Sequence, residues 1–339
     1  MKHTIKITLT ILIMFLVAQF IGLAVFSSYD NYFGKTSQEK VARGELVKPN
    51  VSFVNETLPP PVELKTPIDI AAILTSIIIA LIIATALFFL LAKVRIVIVL
   101  KIWFAVVVFI CLTIALALVL YPFIGTSLFS IFGKNVSLAE AIALPLAIIL
   151  TFYKIVKRNI IVHNLTELFI YPGIAIIFLP LLNVIAASIL LIAISIYDMI
   201  AVWKTKYMIK LAKFQIQQMK IFTGFFIPYI MPKDKAKIAK MRAMAKQAEK
   251  QGKGKKKGKE IKIRTQIAAL GGGDVAFPLI FAGTIFFAFG LMASIVTILC
   301  TALALLLLLL FSEKGKFYPA MPFLTAGCFL GLFIVLLFL

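Results

Sequence analysis

Leu190-Leu191-Ile192-Ala193-Ile194-Ser195-Ile196-Tyr197-Asp198-Met199-Ile200-Ala201-Val202-Trp203 is the stretch on which the fold turns, with the first lysine only at Lys204. Read back to residue 183, the run is long enough to cross a bilayer, which takes about 20 apolar residues at ~1.5 Å rise each. Lipid offers no partners to free backbone groups, so such a run is a helix. Inside it stands Asp198, and an acidic residue at a span centre costs ~2.5–3.5 kcal/mol on insertion scales. Residues placed at that cost are rarely decoration.

The rest of the chain fits this reading. Of its 339 residues 62% are hydrophobic and only 14% charged, too little polar surface for a soluble domain. Candidate spans fall near 5–27, 68–92, 96–120, 137–153, 160–180, 183–203, 267–289, 291–311 and 319–338. This predicts an all-α polytopic membrane protein with nine transmembrane helices. It divides into a six-helix bundle over 1–203, a basic loop over 204–264 and a three-helix bundle over 265–339. The fourth span is short, and the fifth contains His163, Glu167 and a break at Tyr171-Pro172-Gly173. Lys2 and Lys6 before the first span resemble a secretory signal, but the apolar run is longer than the usual 7–15 residues and no A-x-A site follows, so a retained span is expected. The alternating pattern of a membrane barrel is absent.

Charge sets the orientation. With the N-terminus in the cytoplasm, 29 of the 35 Lys and Arg fall on the cytoplasmic side and six outside, as the positive-inside rule requires. The expectation is an integral protein of the cell membrane, N-terminus in and C-terminus out. Residues 204–264 alone carry 19 basic and 3 acidic residues. Each Lys near an anionic leaflet is worth about 1 kcal/mol, so contact with anionic lipid headgroups is expected. Nucleic acid is not, because Lys233 to Lys262 has no aromatic residue to stack on bases. That half should become disordered around Gly252–Gly258. The apolar Ile221–Pro228 is too short to cross, and is read as lying in the interface or covering the bundle.

Cys111, Cys300 and Cys328 sit in apolar runs without CxxC spacing and read as buried thiols. His3 and His163 are too few for a His-based metal site, and no cofactor is expected. Asp69 and Glu140 suit the first turns of spans two and four, where the helix dipole favours an acid. Glu167, one turn after His163, either marks a later helix start or plays a supporting role.

Asp274 is the second costly acid, after Gly271-Gly272-Gly273. Asp198 lies ~9 Å from the cytoplasmic end of its span and Asp274 ~10 Å from the start of the next, so the two match in depth from one face. Two carboxylates close together in low dielectric do not easily both ionise, and the pair shares a proton. One can then activate water while the other donates to a carbonyl oxygen. Three glycines in a helix interior cost ~3 kcal/mol against alanine, so they predict an irregular entrance with backbone exposed beside Asp274. An extended peptide could hydrogen-bond there by strand addition.

At these residues the chain resembles a family. Tyr197-Asp198 in Ile-Tyr-Asp-Met-Ile-Ala-Val resembles the Y-D span of presenilins and signal peptide peptidases, and Ala201-Val202 is closer to presenilins. Gly271-Gly272-Gly273-Asp274 matches the G-x-G-D motif, and Pro319-Ala320-Met321-Pro322 resembles the P-A-L-P motif with Met for Leu. Each motif alone is weak; the three in this order, on one membrane face, are strong. The resemblance implies a presenilin-like fold and an intramembrane aspartyl protease of GxGD type, most similar to archaeal members. It implies Asp198 and Asp274 as catalytic pair, Tyr197 and Gly271 to Gly273 as support, and Pro319, Ala320, Met321 and Pro322 as part of the substrate site. Its substrates would be transmembrane proteins or peptides, remnant signal peptides among them, with homo-oligomerisation left open. Two competing readings remain: an ion channel or proton-coupled transporter using the same acids, and a non-enzymatic scaffold.

Overall fold

The computed structural model describes residues 5–32, 66–93, 97–124, 128–131, 134–157, 159–203, 223–229, 266–312 and 318–338, with the isolated residues 43, 57 and 58. Among them are nine helices: α1 (Ile5–Tyr32), α2 (Pro67–Lys93), α3 (Val97–Ile124), α4 (Leu138–Phe152), α5 (Ile160–Phe178), α6 (Val184–Trp203), α7 (Gly272–Phe289), α8 (Leu291–Phe311) and α9 (Met321–Phe338). Each lies in a segment long and apolar enough to span a membrane. The chain is an integral membrane protein, and its described residues hold nine candidate spans, as its hydropathy predicts. The expectations placed on residues 233–262, including disorder at Gly252–Gly258, lie outside the described residues.

Acidic residues at two helix starts have local reasons. Ser137 and Glu140 form a capping box at α4, each side chain bonded to the other's main-chain N–H at 3.2 Å. Thr66 and Asp69 exchange the same pair of bonds at α2, at 2.9 and 3.2 Å. The turn between α5 and α6 is a single 3-10 turn, Leu179–Leu181, after which the Asn183 side chain accepts from the Ala186 amide at 2.8 Å.

Two features depart from an all-helical picture. Short antiparallel ladders join β1 (Leu128–Ile131) to β2 (Lys134–Ser137) and β3 (Gly224–Tyr229) to β4 (Gln266–Gly271). Residues 267–271, read from composition as the start of span seven, belong to β4, and the helix begins at Gly272. The helix takes in Gly272 and Gly273 and stops at its N-cap Gly271, and the residues before it pair with β3 instead. The apolar segment read as an interfacial cover contributes β3, whose Phe225 is fully buried with its ring edge-on to Tyr171 at 5.4 Å. The break expected at Tyr171-Pro172-Gly173 does not occur: α5 runs through Pro172. Proline forfeits one main-chain bond there, while Gly173 lets α5 lie directly on the Cys111 main chain of α3. In lipid such small-residue contacts hold helices together.

The two halves of the chain interleave. Helix α7 packs on α1, α5, α6, α8 and α9, with Leu279, Phe281 and Ile285 fully buried. Helix α2 touches α3 and α6 and leaves Ile79, Ile82 and Ile83 exposed, the apolar surface that a lipid-facing helix presents.

Candidate active site

Asp198 sits five residues before the end of α6 at Trp203 and is 6% exposed. Its Oδ2 accepts the Met321 amide at 3.1 Å, and the Ala320 main chain also bonds to it. Those donors exist because Pro319-Ala320 precede the first turn of α9, where amides have no intrahelical acceptor. The Pro319–Pro322 motif thus meets α6 at Asp198.

Asp274 is the third residue of α7, with Gly271 as N-cap. Its carboxylate accepts the Gly271 main-chain N–H, one half of a capping box. A Cβ on Gly271 would stand 3.0 Å from Asp274 Oδ2, so glycine leaves the carboxylate its place. A Cβ on Gly273 would meet only the Phe277 ring at 3.5 Å, ordinary contact, and Gly273 itself is exposed. Asp274 keeps partial exposure, and the charge of Asp198 acts on it directly. The two acids therefore share one end of the bundle, each held by a main-chain amide from a different irregular helix start. Tyr197, beside Asp198 in sequence, has its side chain half exposed.

Several supporting groups escape sequence reading. Gln19 of α1 is 1% exposed and donates to the Val275 carbonyl at 3.1 Å, pinning the first turn of α7. Ser195 and Thr325 share a 2.7 Å hydrogen bond between α6 and α9, one turn from Asp198 and Met321. The Tyr171 ring packs against Gly272, and its buried hydroxyl lies toward Glu167. Gln19 had a usable signal, a lone amide inside an apolar run, but its partner was not readable.

Glu167 is neither a helix start nor solvated. It is buried in α5 and paired with Lys154, which follows α4 in a π turn (Tyr153–Lys157). Lys154, counted above among cytoplasmic charges, is itself 5% exposed. Its ammonium donates to Glu167 Oε1 at 2.5 Å, His163 Nδ1 at 3.3 Å and Thr166 Oγ1 at 3.4 Å, so all three of its protons have acceptors. Of the cysteines, Cys111 and Cys328 are buried and Cys300 half-buried, all as free thiols.

Residues 64–339 match the family model described as signal-peptide peptidase, presenilin aspartyl protease. No curated protein matches the sequence. Among solved structures, a presenilin family intramembrane aspartate protease in space group C222 aligns with TM-score 0.54 and 17% identity over 98% of this chain and 99% of that one. A presenilin family intramembrane aspartate protease in space group P2 aligns with TM-score 0.52 and 17% identity over 98% of each. At that identity the structural likeness carries the fold, and the family model carries the chemistry. The chain belongs to the signal-peptide peptidase and presenilin family of aspartyl proteases, and is an intramembrane-cleaving aspartic endopeptidase.

Proposed function

We propose that Asp198 and Asp274 are the catalytic dyad, hydrolysing peptide bonds within transmembrane substrates. The observation that carries this is that both carboxyls lie at one end of the bundle, near enough for their charges to act on each other, each bonded to a main-chain N–H from the Gly271 or the Pro319 segment. In this reading one carboxylate takes a proton from water, whose oxygen attacks the scissile carbonyl carbon. The other, protonated, donates to the carbonyl oxygen. Collapse of the tetrahedral intermediate returns a proton to the leaving nitrogen as the C–N bond breaks. Remnant signal peptides are suitable substrates, being short apolar helices that an unwinding site can receive.

The hairpin supports a mode of substrate binding. Phe226 pairs with Ala269, and Phe226 turns both its N–H and its C=O away from β4, toward α5. Antiparallel parity then turns the main-chain groups of Ala269 and Ile267 outward on the far edge of β4. An extended peptide added there would run past Gly271 and exposed Gly273 to the dyad, with Pro319, Ala320, Met321 and Pro322 opposite. The topology proposed with this is N-terminus in and C-terminus out, with the 204–264 loop between the 1–203 and 265–339 bundles against anionic lipid. No observation favours the channel or scaffold readings over this one.

Full-length protein in detergent with a synthetic transmembrane peptide tests the assignment. Asp198→Asn and Asp274→Asn should each abolish cleavage while leaving the thermal unfolding midpoint near that of the unsubstituted chain. Cleavage by either variant would refute the dyad. Ion flux in liposomes that vanishes in both variants, without peptide cleavage in the parent, would favour the channel.

A further inference from the structure

The outer edge of β3 is not left open. Asn164 of α5 grips Phe226 by both main-chain groups, its Nδ2 donating to the Phe226 carbonyl at 2.7 Å and its Oδ1 accepting the Phe226 amide at 2.9 Å. A side-chain amide placed this way presents the donor and acceptor that the peptide group of a neighbouring strand would present. One residue before it in sequence, His163 reaches the next outward carbonyl of the same edge. Its Nε2 lies 2.8 Å from the Gly224 oxygen, and since a carbonyl only accepts, Nε2 carries the proton. Nδ1 is then free to accept from the Lys154 ammonium at 3.3 Å. The remaining outward position, Pro228, has no N–H to offer.

The grip is anchored in turn. Lys154 fixes the imidazole through Nδ1, and Glu167 and Thr166 fix Lys154, so the tautomer and the ring plane are set by buried partners. Phe226 stacks against the His163 ring at a centroid distance of 5.3 Å, and Phe225 on the opposite face packs edge-on to Tyr171. From Phe226 the path to the chemistry is short: Phe226 pairs with Ala269, Gly224 with Gly271, and Gly271 caps the helix that begins beside Asp274.

We propose that Asn164 and His163 are positioning residues that stand in for a strand on β3, latching the hairpin to α5 and thereby fixing the register in which a substrate peptide lies on β4. The proposal rests on the strand-addition reading of the protease. It has two consequences. With β3 closed, the edge of this two-stranded ladder left to a peptide is that of β4, the strand that leads into Asp274. With β3 anchored, β4 has one height relative to the dyad, and so one peptide bond is presented. A side chain that merely stabilised the bundle would do neither. A strand slip that preserves which side chains face the core must move by two residues, because a one-residue slip inverts every side chain.

The test uses the purified full-length chain in detergent micelles with one synthetic peptide, an apolar transmembrane segment flanked by lysines, and reads the product masses. With Asn164→Ala the products should spread from the parent's main site to sites displaced by two residues, with rate loss as a secondary effect. Hydrogen exchange of the 224–229 segment is the second measurement. The Phe226 amide should be protected in the parent, and should exchange roughly tenfold faster or more in Asn164→Ala, the opening being eased by two lost hydrogen bonds. Asn164→Asp, which keeps the acceptor for the Phe226 amide, should recover part of that protection. Unchanged product masses in Asn164→Ala would overturn the proposal, as would an unprotected Phe226 amide in the parent chain should the variants fail to fold. Parent cleavage that persists in Asp274→Asn would strike instead at the dyad on which the proposal stands.

Discussion

Replacing Lys154 by Met removes the cation beneath the hairpin and takes its ammonium partner from Glu167, whose side chain is 2% exposed. Breaking a buried pair by deleting one partner costs about 3–5 kcal/mol, because the surviving charge keeps its desolvation penalty without its partner. The double variant Lys154→Met, Glu167→Leu carries no charge and forfeits chiefly the hydrogen bonds to His163 and Thr166, roughly 1 kcal/mol each. It should therefore be more stable than Lys154→Met alone, with a coupling energy of at least ~2 kcal/mol across the cycle. Unfolding of the four proteins in mixed micelles at pH 7 measures this. Additive single effects would refute the assignment of Lys154 and Glu167 as a buried, mutually dependent pair.

The glycines of the motif separate into different duties. Gly271→Ala should lower the cleavage rate severalfold at little cost in stability, because its Cβ would press on Asp274 Oδ2 from 3.0 Å. Gly273→Ala should unfold at the same temperature as the parent or higher, since alanine is favoured over glycine in a helix by up to ~1 kcal/mol and meets nothing closer than 3.5 Å. Gly173→Ala should destabilise the bundle by about 1–3 kcal/mol or more, since its Cβ would fall 2.2 Å from the Cys111 carbonyl oxygen and backbone cannot rotate aside. Thermal unfolding in detergent, run beside the peptide assay, distinguishes all three.

The spans were legible because hydropathy in a membrane is a one-dimensional signal. Each helix satisfies its own backbone, so its existence depends on little beyond its own residues. Observed and expected bounds differ by a few residues, and chiefly at span seven, where Gly271 to Gly273 gave warning of an irregular entrance without saying what replaced the helix. The hairpin was not legible, since β3 and β4 are separated in sequence by the whole lysine-rich segment and pair through main-chain groups that leave no residue signature. Lys154 misled for a related reason: it was counted as a cytoplasmic charge, and Glu167 was read as a later helix start or a supporting group, whereas the fold pairs the two. A charge beside a span reads as topology until its partner, 13 positions away on another helix, is known.

The two acids differ from these charges in how they are held. Lys154 and Glu167 neutralise one another, which suits a structural pair and would ruin a catalytic one, because a carboxylate tied to a cation gives up its proton and keeps it away. Asp198 and Asp274 receive main-chain N–H groups instead. An amide orients a carboxylate without contributing a titratable charge. Amides free to do this occur at helix starts, and Gly271 and Pro319 mark two of them among the described residues. On the proposed dyad reading, the Gly-rich and Pro-rich motifs are the cost, in regular helix, of holding two acids in the membrane.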